Sequence, residues 1–449
     1  MQRIALLCHT RDAIVAYRGA QAITAQQFLT DATRLASMLP AGKHVLNACS
    51  DRYQFAVGLA ACLIANRISL LPPTYVPEMV RYLKQFTSDA FCLTDNAACD
   101  IDLPLVNLPA TLAQQTGIWS VPTIACDQQV AYVFTSGSTG TPIPHAKTWG
   151  PLVANVRAEA IRLRLTPSGP QHVLLATVPA QHMYGFESSV LVALQSGQAF
   201  CAERPFYPAD IAHALAAVPR PRVLVTTPIH LRALLACPID LPVVDLVLCA
   251  TAPLESSIAA ATEARFNAPL LEIYGTTETG QIASRRTSES LNWRLWPGIQ
   301  LIQNDGATVA QGGHVETPVQ LGDLLEILGN DEFILHGRVQ DLINIAGKRS
   351  SLAYLNHQLM AVYGVVDGVF YVREERGVSP TGTTRLAALV VAPGIAVAAI
   401  MRALRDRIDP VFLPRPLQAV DRIPRNTTGK ITASALDQLR SLNQLRSNV

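Results

Sequence analysis

The stretch Ala131-Tyr132-Val133-Phe134-Thr135-Ser136-Gly137-Ser138-Thr139-Gly140-Thr141-Pro142 runs an apolar segment straight into a loop of hydroxyls and glycines. Val, Tyr and Phe suit a pleated, half-buried surface, so the first part reads as a strand. Glycine permits close approach and positive φ, so the loop can turn several backbone N–H groups and hydroxyls toward one polyanion. Phosphate is the guest such a cradle suits. The same residues also suit an exposed Ser/Gly turn, and the stretch alone does not choose between the two. It is not a Walker A loop, because no Lys-Ser/Thr pair follows the last glycine.

On either side of this stretch two periodicities alternate. Residues 25–39 place Phe28, Leu29, Ala32, Leu35, Ala36 and Leu39 at helical spacing, and 51–66 repeats the pattern after a strand-like 44–46. Short apolar runs recur at 130–134, 172–178, 223–227, 243–249 and 270–274, with helical stretches such as 152–163 and 211–217 between several of them. That order is what layered α/β sheets require. Beyond residue 335 the texture changes: strands are predicted at 369–373 and 386–391 and a helix at 397–408, before a Pro-rich 410–424. The expectation is an α/β protein with a large N-terminal body (1–337) and a small mobile C-terminal α+β domain (338–449), hinged near 340.

Composition narrows the class. The chain has 449 residues, 49% of them apolar and only 16% charged, which excludes disorder and allows a large core. Lys and Arg number 36 against 34 Asp and Glu, so a net charge of +2 gives no long-range field to gather nucleic acid or an anionic membrane. Nine cysteines without a CxxC pair or a His/Cys cluster suggest neither a disulfide framework nor a zinc site. The start lacks a full signal-peptide core, and no run of ~20 uncharged apolar residues follows. A soluble, cytoplasmic protein is expected.

Three further motifs carry chemistry. Tyr274-Gly275-Thr276-Thr277-Glu278 follows a predicted strand and supplies an aromatic face, two hydroxyls and a carboxylate. An aromatic can stack on a base and a carboxylate can hold Mg²⁺ beside phosphates, but a core tyrosine and a helix-capping glutamate would look the same. Asp323 and Arg338 offer groups for sugar hydroxyls, or a plain surface ion pair. Lys430, in Asn426-Thr427-Thr428-Gly429-Lys430, would by itself be a solvated lysine.

In their order and spacing, these motifs together resemble the adenylate-forming superfamily of acyl-CoA synthetases, aryl-acid ligases, adenylation domains and luciferases, over about residues 23–436. The resemblance implies an enzyme that uses ATP and Mg²⁺ to adenylate a carboxylic acid and then transfers the acyl group to a phosphopantetheine thiol, on CoA or on an acyl carrier protein. It assigns Thr135, Ser136, Gly137, Ser138, Thr139, Gly140 and Thr141 to the phosphate loop, and Tyr274, Gly275 and Thr276 to the nucleotide site. Thr277 would meet the α-phosphate, Glu278 would bind Mg²⁺, and Asp323 and Arg338 would hold the ribose. Lys430 would be the catalytic cation carried in by the small domain.

Two departures from the pattern stand out. Relatives often continue the phosphate loop as Pro-Lys, whereas here Ile143 follows Pro142 and the next cation is Lys147. Either Lys147 substitutes from further along, or the loop works with hydroxyls, amides and Mg²⁺ alone. The pivot position, often Asp or Lys, is Gln340. Arg349 matches a position that in some relatives supports the phosphates or the thiol-bearing cofactor.

For the acyl pocket the resemblance points to His182, Phe186, Thr226, Ala250, Thr251 and Ala252. His182 could equally be a structural hydrogen-bonding residue, and Phe186 a packing one. No Asp sits where amino-acid-activating relatives clamp an amine, so an aromatic or medium acyl acid is expected, of hydroxybenzoate type. The short single chain is similar to stand-alone ligases of bacterial aryl-polyene pathways. Two alternatives stay open: an enzyme that stops at the adenylate or uses a non-thiol acceptor, and an inactive AMP/ATP-binding module.

Overall fold

The structure is a computed structural model that describes residues 2–108, 119–136, 142–304, 307–338, 342–345, 348–373, 385–423 and 425. The chain divides into two compact units. The first comprises residues 1–290, 294–300 and 311–319, the second 291–293, 301–310 and 320–449.

Two large sheets form the bulk of the first unit, beside a two-stranded one of Arg3–Ala5 and Thr123–Ala125. One has six strands in the order Pro142–Thr148, Gln129–Ser136, Ile68–Leu71, His44–Asn47, Phe91–Thr94 and Leu105–Asn107. All its pairings are parallel except the hairpin at the edge, which joins Gln129–Ser136 to Pro142–Thr148. In the other sheet the strands Leu270–Thr276, Leu246–Cys249, Arg222–Thr226, Val173–Ala176, Ala199–Cys201 and Ile14–Arg18 run parallel. Parallel strands are covered on both faces and read as continuous apolar runs. Ile68–Leu71, Phe91–Thr94, Val173–Ala176 and Leu246–Cys249 are accordingly buried at every position.

Local chemistry sets the helices. Ala25–Met38 starts with a capping box in which Thr24 accepts from the Gln27 amide and the Gln27 side chain accepts from the Thr24 amide, and it buries Phe28, Leu29, Ala32 and Leu35. Arg52–Ile64 is capped by Asp51 and is buried almost all round, which explains its nearly uniform apolar sequence. The predicted 152–163 helix begins earlier, at Trp149, because Trp149 is fully buried and its indole N–H donates to the Ile4 carbonyl.

The second unit contains a three-stranded sheet of Asp367–Arg373, Arg385–Val391 and Leu417–Ala419, packed with the helices Leu352–Met360 and Val397–Arg405 around Leu355, Phe370, Ala388, Ile400 and Leu404. This is the small α+β arrangement read from its sequence. The helix Val397–Arg405 stops three residues before the predicted end. Asp409-Pro410 follows it, and a residue before proline is pushed out of helical geometry.

One buried charge ties the two sheets of the first unit. Arg52 is 1% exposed, and its guanidinium donates to the carbonyls of Cys201 (3.3 Å), Glu203 (2.9 Å), Ala176 (3.1 Å) and Val178 (2.6 Å). It stands at the start of a helix that follows the first sheet's strand His44–Asn47, while its acceptors lie at or just beyond the ends of strands of the second. Burial lowers its pKa to about 10, so it stays charged at neutral pH. Arg52→Met would leave four buried carbonyls without this donor, at a cost of roughly 3 kcal/mol or more. Urea unfolding followed by circular dichroism should show a large drop in midpoint with an unchanged slope.

Candidate active site

The strands on either side of the loop assigned to the phosphates form the edge hairpin. Pro142 pairs with Ser136, Ile143 with Thr135, His145 with Val133 and Lys147 with Ala131. The connection 137–141, with Gly137, Ser138, Thr139, Gly140 and Thr141, lies outside the described residues. At its base Thr135 Oγ1 is 2.9 Å from His145 Nε2. Ile143, His145 and Lys147 share one face of their strand, because side chains alternate with a period of two.

Facing that hairpin is the turn that ends Leu270–Thr276. Tyr274 is 8% exposed and pairs with Ala283, and the register slips between Tyr274 and Gly275. A Cβ on Gly275 would stand 2.2 Å from the Gly280 carbonyl oxygen, so only glycine fits there. Thr276 and Thr279 close the turn, each amide donating to the other's hydroxyl at 3.2 Å. This leaves Glu278 at the apex, its side chain 44% exposed and one carboxylate oxygen 3.5 Å from His145 Nε2. Lys147 Nζ donates to the backbone carbonyls of both Thr277 and Glu278, the latter at 3.3 Å. Burial pushes the Lys147 ammonium below the usual lysine range, and the carboxylates of Glu187 and then Glu278 oppose that shift.

The residues assigned to the acyl wall occupy the ends of the second sheet's strands. Thr226 is buried, with its hydroxyl 3.0 Å from that of Thr177, and the Ala250 amide donates to the Thr226 carbonyl at 3.4 Å. Thr251 holds φ +83°, a region that β-branched residues rarely adopt, and Ala252 follows it half-buried. His182 sits half-buried at the start of the helical segment that leads into Phe186, whose amide donates to the His182 carbonyl at 2.7 Å. Phe186 itself is fully buried. Asp323 and Arg338 belong to the second unit, where they are directly paired in the antiparallel hairpin of Asp323–Ile327 and Glu332–Arg338. Gln340 and Lys430 lie outside the described residues.

The family described as AMP-binding enzyme matches residues 5–300, about two thirds of the chain. The chain belongs to this family. Among similar proteins, a 4-coumarate–CoA ligase of Rhodobacter capsulatus is 29% identical over 275 residues, 61% of this chain. A p-hydroxybenzoic acid–AMP ligase of Mycobacterium marinum is 26% identical across 94% of it. Each match spans 66% of that relative, just under two thirds of its length. The fold matches ATP-bound MatB of Rhodopseudomonas palustris at a TM-score of 0.81 and 20% identity, over 96% of both chains. It also matches the o-succinylbenzoate CoA synthetase of Bacillus subtilis in complex with its acyl-adenylate at 0.79 and 17%, over 95% of this chain and 96% of that one. The adenylate-forming fold read from the motifs is therefore the observed one.

Behind the turn, this AMP-binding enzyme carries polar residues that the motifs did not single out. A cavity of about 140 Å³ is lined by Lys147, Asn155, Glu187, Glu278, His314 and Glu316 among others. Glu187 and Glu159 are 1% and 0% exposed. Asn155 Nδ2 donates to Glu187 at 2.5 Å. The Gln281 amide, oriented to satisfy both its ends, donates to both Glu159 oxygens at 3.3 Å and accepts from Ser188 Oγ at 2.7 Å. A Cβ on Gly280, at φ +71°, would lie 2.2 Å from Asn155 Nδ2, so the turn and this layer fit each other closely. His314 is also buried, with its pKa lowered to about 4, and stays neutral. In the sequence these acids look like ordinary helix glutamates, since only tertiary packing buries them.

Burial raises the pKa of both Glu159 and Glu187 to about 8. The folded protein therefore holds protons that the unfolded chain releases above a pH of about 4.5. Stability from these groups is full below that value and is lost progressively as the pH rises to about 8. Glu159→Gln should flatten that fall and raise the thermal midpoint at pH 8 relative to pH 5, by a free energy of a few kcal/mol. Thr251→Gly, which relieves the positive φ, should gain about 1 kcal/mol in the same melts.

Proposed function

We propose that this protein is an AMP-forming acid–thiol ligase: it adenylates a carboxylic acid with ATP and passes the acyl group to a phosphopantetheine thiol. The observation that carries this reading is the Lys147 bridge, which brings the phosphate-loop hairpin of one sheet against the Tyr274–Glu278 turn at the end of the other. Two anions, a carboxylate and the α-phosphate, have to meet there. Catalysis is then mainly charge neutralisation and alignment.

Within this reading the loop amides and hydroxyls of 135–141 cradle the phosphates, Tyr274 stacks on adenine, and the Thr277 hydroxyl donates to the α-phosphate. Asp323 and Arg338 take the ribose. Glu278 would hold Mg²⁺, which would neutralise phosphate charge. A single exposed carboxylate at a turn apex fits that ion, because Mg²⁺ is commonly bound by one or two carboxylates together with substrate phosphates and waters. Among the described residues there is no cluster of three or more His, Cys, Asp or Glu. Lys430, brought by the C-terminal domain (338–449) turning about Gln340, supplies the positive charge at the reacting carboxylate. The same rotation then clears a path for the thiol.

The acid is proposed to be aromatic and of hydroxybenzoate type. The relatives named 4-coumarate–CoA ligase and p-hydroxybenzoic acid–AMP ligase support an aromatic acid, as does the small and hydroxyl-bearing wall of Thr226, Ala250, Thr251 and Ala252. The acceptor is CoA or an acyl carrier protein in the cytoplasm. No helix among the described residues is long and apolar enough to cross a membrane.

Acid-dependent ATP–pyrophosphate exchange over a panel of benzoates, cinnamates and medium-chain acids tests the reading. Exchange is expected with an aromatic acid, and Lys430→Ala should lower it by about 10²-fold or more while leaving ATP binding nearly intact. Silence with every acid would overturn the proposal.

A further inference from the structure

We propose that Lys147 is a positioning residue, which clamps the backbone of Thr277 and Glu278 from the facing hairpin instead of standing in for the phosphate-loop lysine. The inference rests on the adenylation reading above for its consequence, and on geometry for the clamp itself.

Position 143, where relatives often carry the loop lysine, holds a half-exposed isoleucine paired with Thr135. Lys147 lies four residues further along the same strand face, about 13 Å away at the rise of an extended chain. Its ammonium points across to the neighbouring sheet's turn and donates to two consecutive carbonyls, those of Thr277 and Glu278. The turn's own hydrogen bonds, between Thr276 and Thr279 and from Thr279 to the Gly280 carbonyl, leave those two acceptors to Lys147.

His145, on the same strand face, meets the Glu278 carboxylate at 3.5 Å. One strand therefore meets Glu278 twice: Lys147 donates to its main-chain oxygen, and the His145 ring, held at 2.9 Å from Thr135 Oγ1, borders its side chain. The apex would otherwise be a short loop with an exposed glutamate, free to take many rotamers. Held this way, the Thr277–Glu278 backbone is already in place before nucleotide arrives, which is where preorganisation contributes to rate.

The test uses the full chain and three variants, Lys147→Met, Lys147→Gln and the double variant Lys147→Met with Ile143→Lys. Amide hydrogen–deuterium exchange of residues 275–280 is measured in the nucleotide-free proteins, and ATP–pyrophosphate exchange is measured against MgATP concentration. Lys147→Met is expected to speed amide exchange in that segment about tenfold, and to raise the half-saturating MgATP concentration by a similar factor, as loss of charge-assisted hydrogen bonds implies. The added lysine at 143 is expected to restore neither. Should Lys147→Met fail to fold, Lys147→Gln, whose amide still donates, should speed the same amides a few-fold.

Unchanged amide exchange in whichever variant folds would overturn the clamp. Full recovery of MgATP saturation by Ile143→Lys would also overturn it, since Lys147 would then be a displaced phosphate lysine. If the wild-type protein exchanges pyrophosphate with no acid, the adenylation reading fails, while the amide measurement still decides whether Lys147 holds the turn.

Discussion

The first unit depends on one requirement: two separate parallel sheets have to present the ends of their strands to a common place. Arg52 meets that requirement most directly. Its guanidinium occupies a buried position between a helix of the first sheet and four carbonyls at or just beyond the strand ends of the second. A buried charge is tolerated there because the desolvation cost is offset by hydrogen bonds from the fixed fork of an arginine. Arg18 adds a second tie, pairing with Asp51, the residue that caps the same helix. Apolar contact could press the sheets together but would not fix their register, since it has no direction. Directional bonds to strand-end carbonyls do.

Lys147 repeats this logic at the site. Its ammonium reaches from one sheet's edge hairpin to the carbonyls of the other sheet's terminal turn. Behind it, Glu187, Asn155, Glu159, Gln281 and Ser188 form a linked polar layer, where two glutamates are pushed up to about 8 by burial. Of the two, Glu187 lies close enough to attract the Lys147 ammonium charge. That charge is directed at the turn. Such a layer is costly if any member lacks its partner, and that cost helps to specify a single arrangement.

The proposed chemistry draws on this division of labour. The cation nearest the Thr277–Glu278 turn is committed to backbone carbonyls, so in the proposed mechanism neutralisation of the reacting anions falls to Mg²⁺ at Glu278 and to Lys430. On that proposal, substrates are held first and react second, and the lysine later gives way to the thiol at the same carbon. The strained backbone at Thr251, next to the proposed acyl wall, belongs to the same pattern of local cost at a functional site.

Much of this architecture was legible in the residues. Strand and helix periodicities, read as 130–134, 172–178, 223–227 and 270–274 with helices between, correspond to observed elements within a few residues, because buried parallel strands must be apolar throughout and helices must be apolar on the face they bury. The motif 131–142, together with the order of Tyr274, Asp323, Arg338 and Lys430, carried the resemblance to the family. The partner of Lys147 was not legible: its acceptors are two backbone carbonyls 130 and 131 residues away, and every residue has a carbonyl. Nor could the sequence show that Glu159 and Glu187 are protonated, or that Arg52 is buried. Those properties depend on which side chains and carbonyls surround each group, and that is decided when the two sheets pack together.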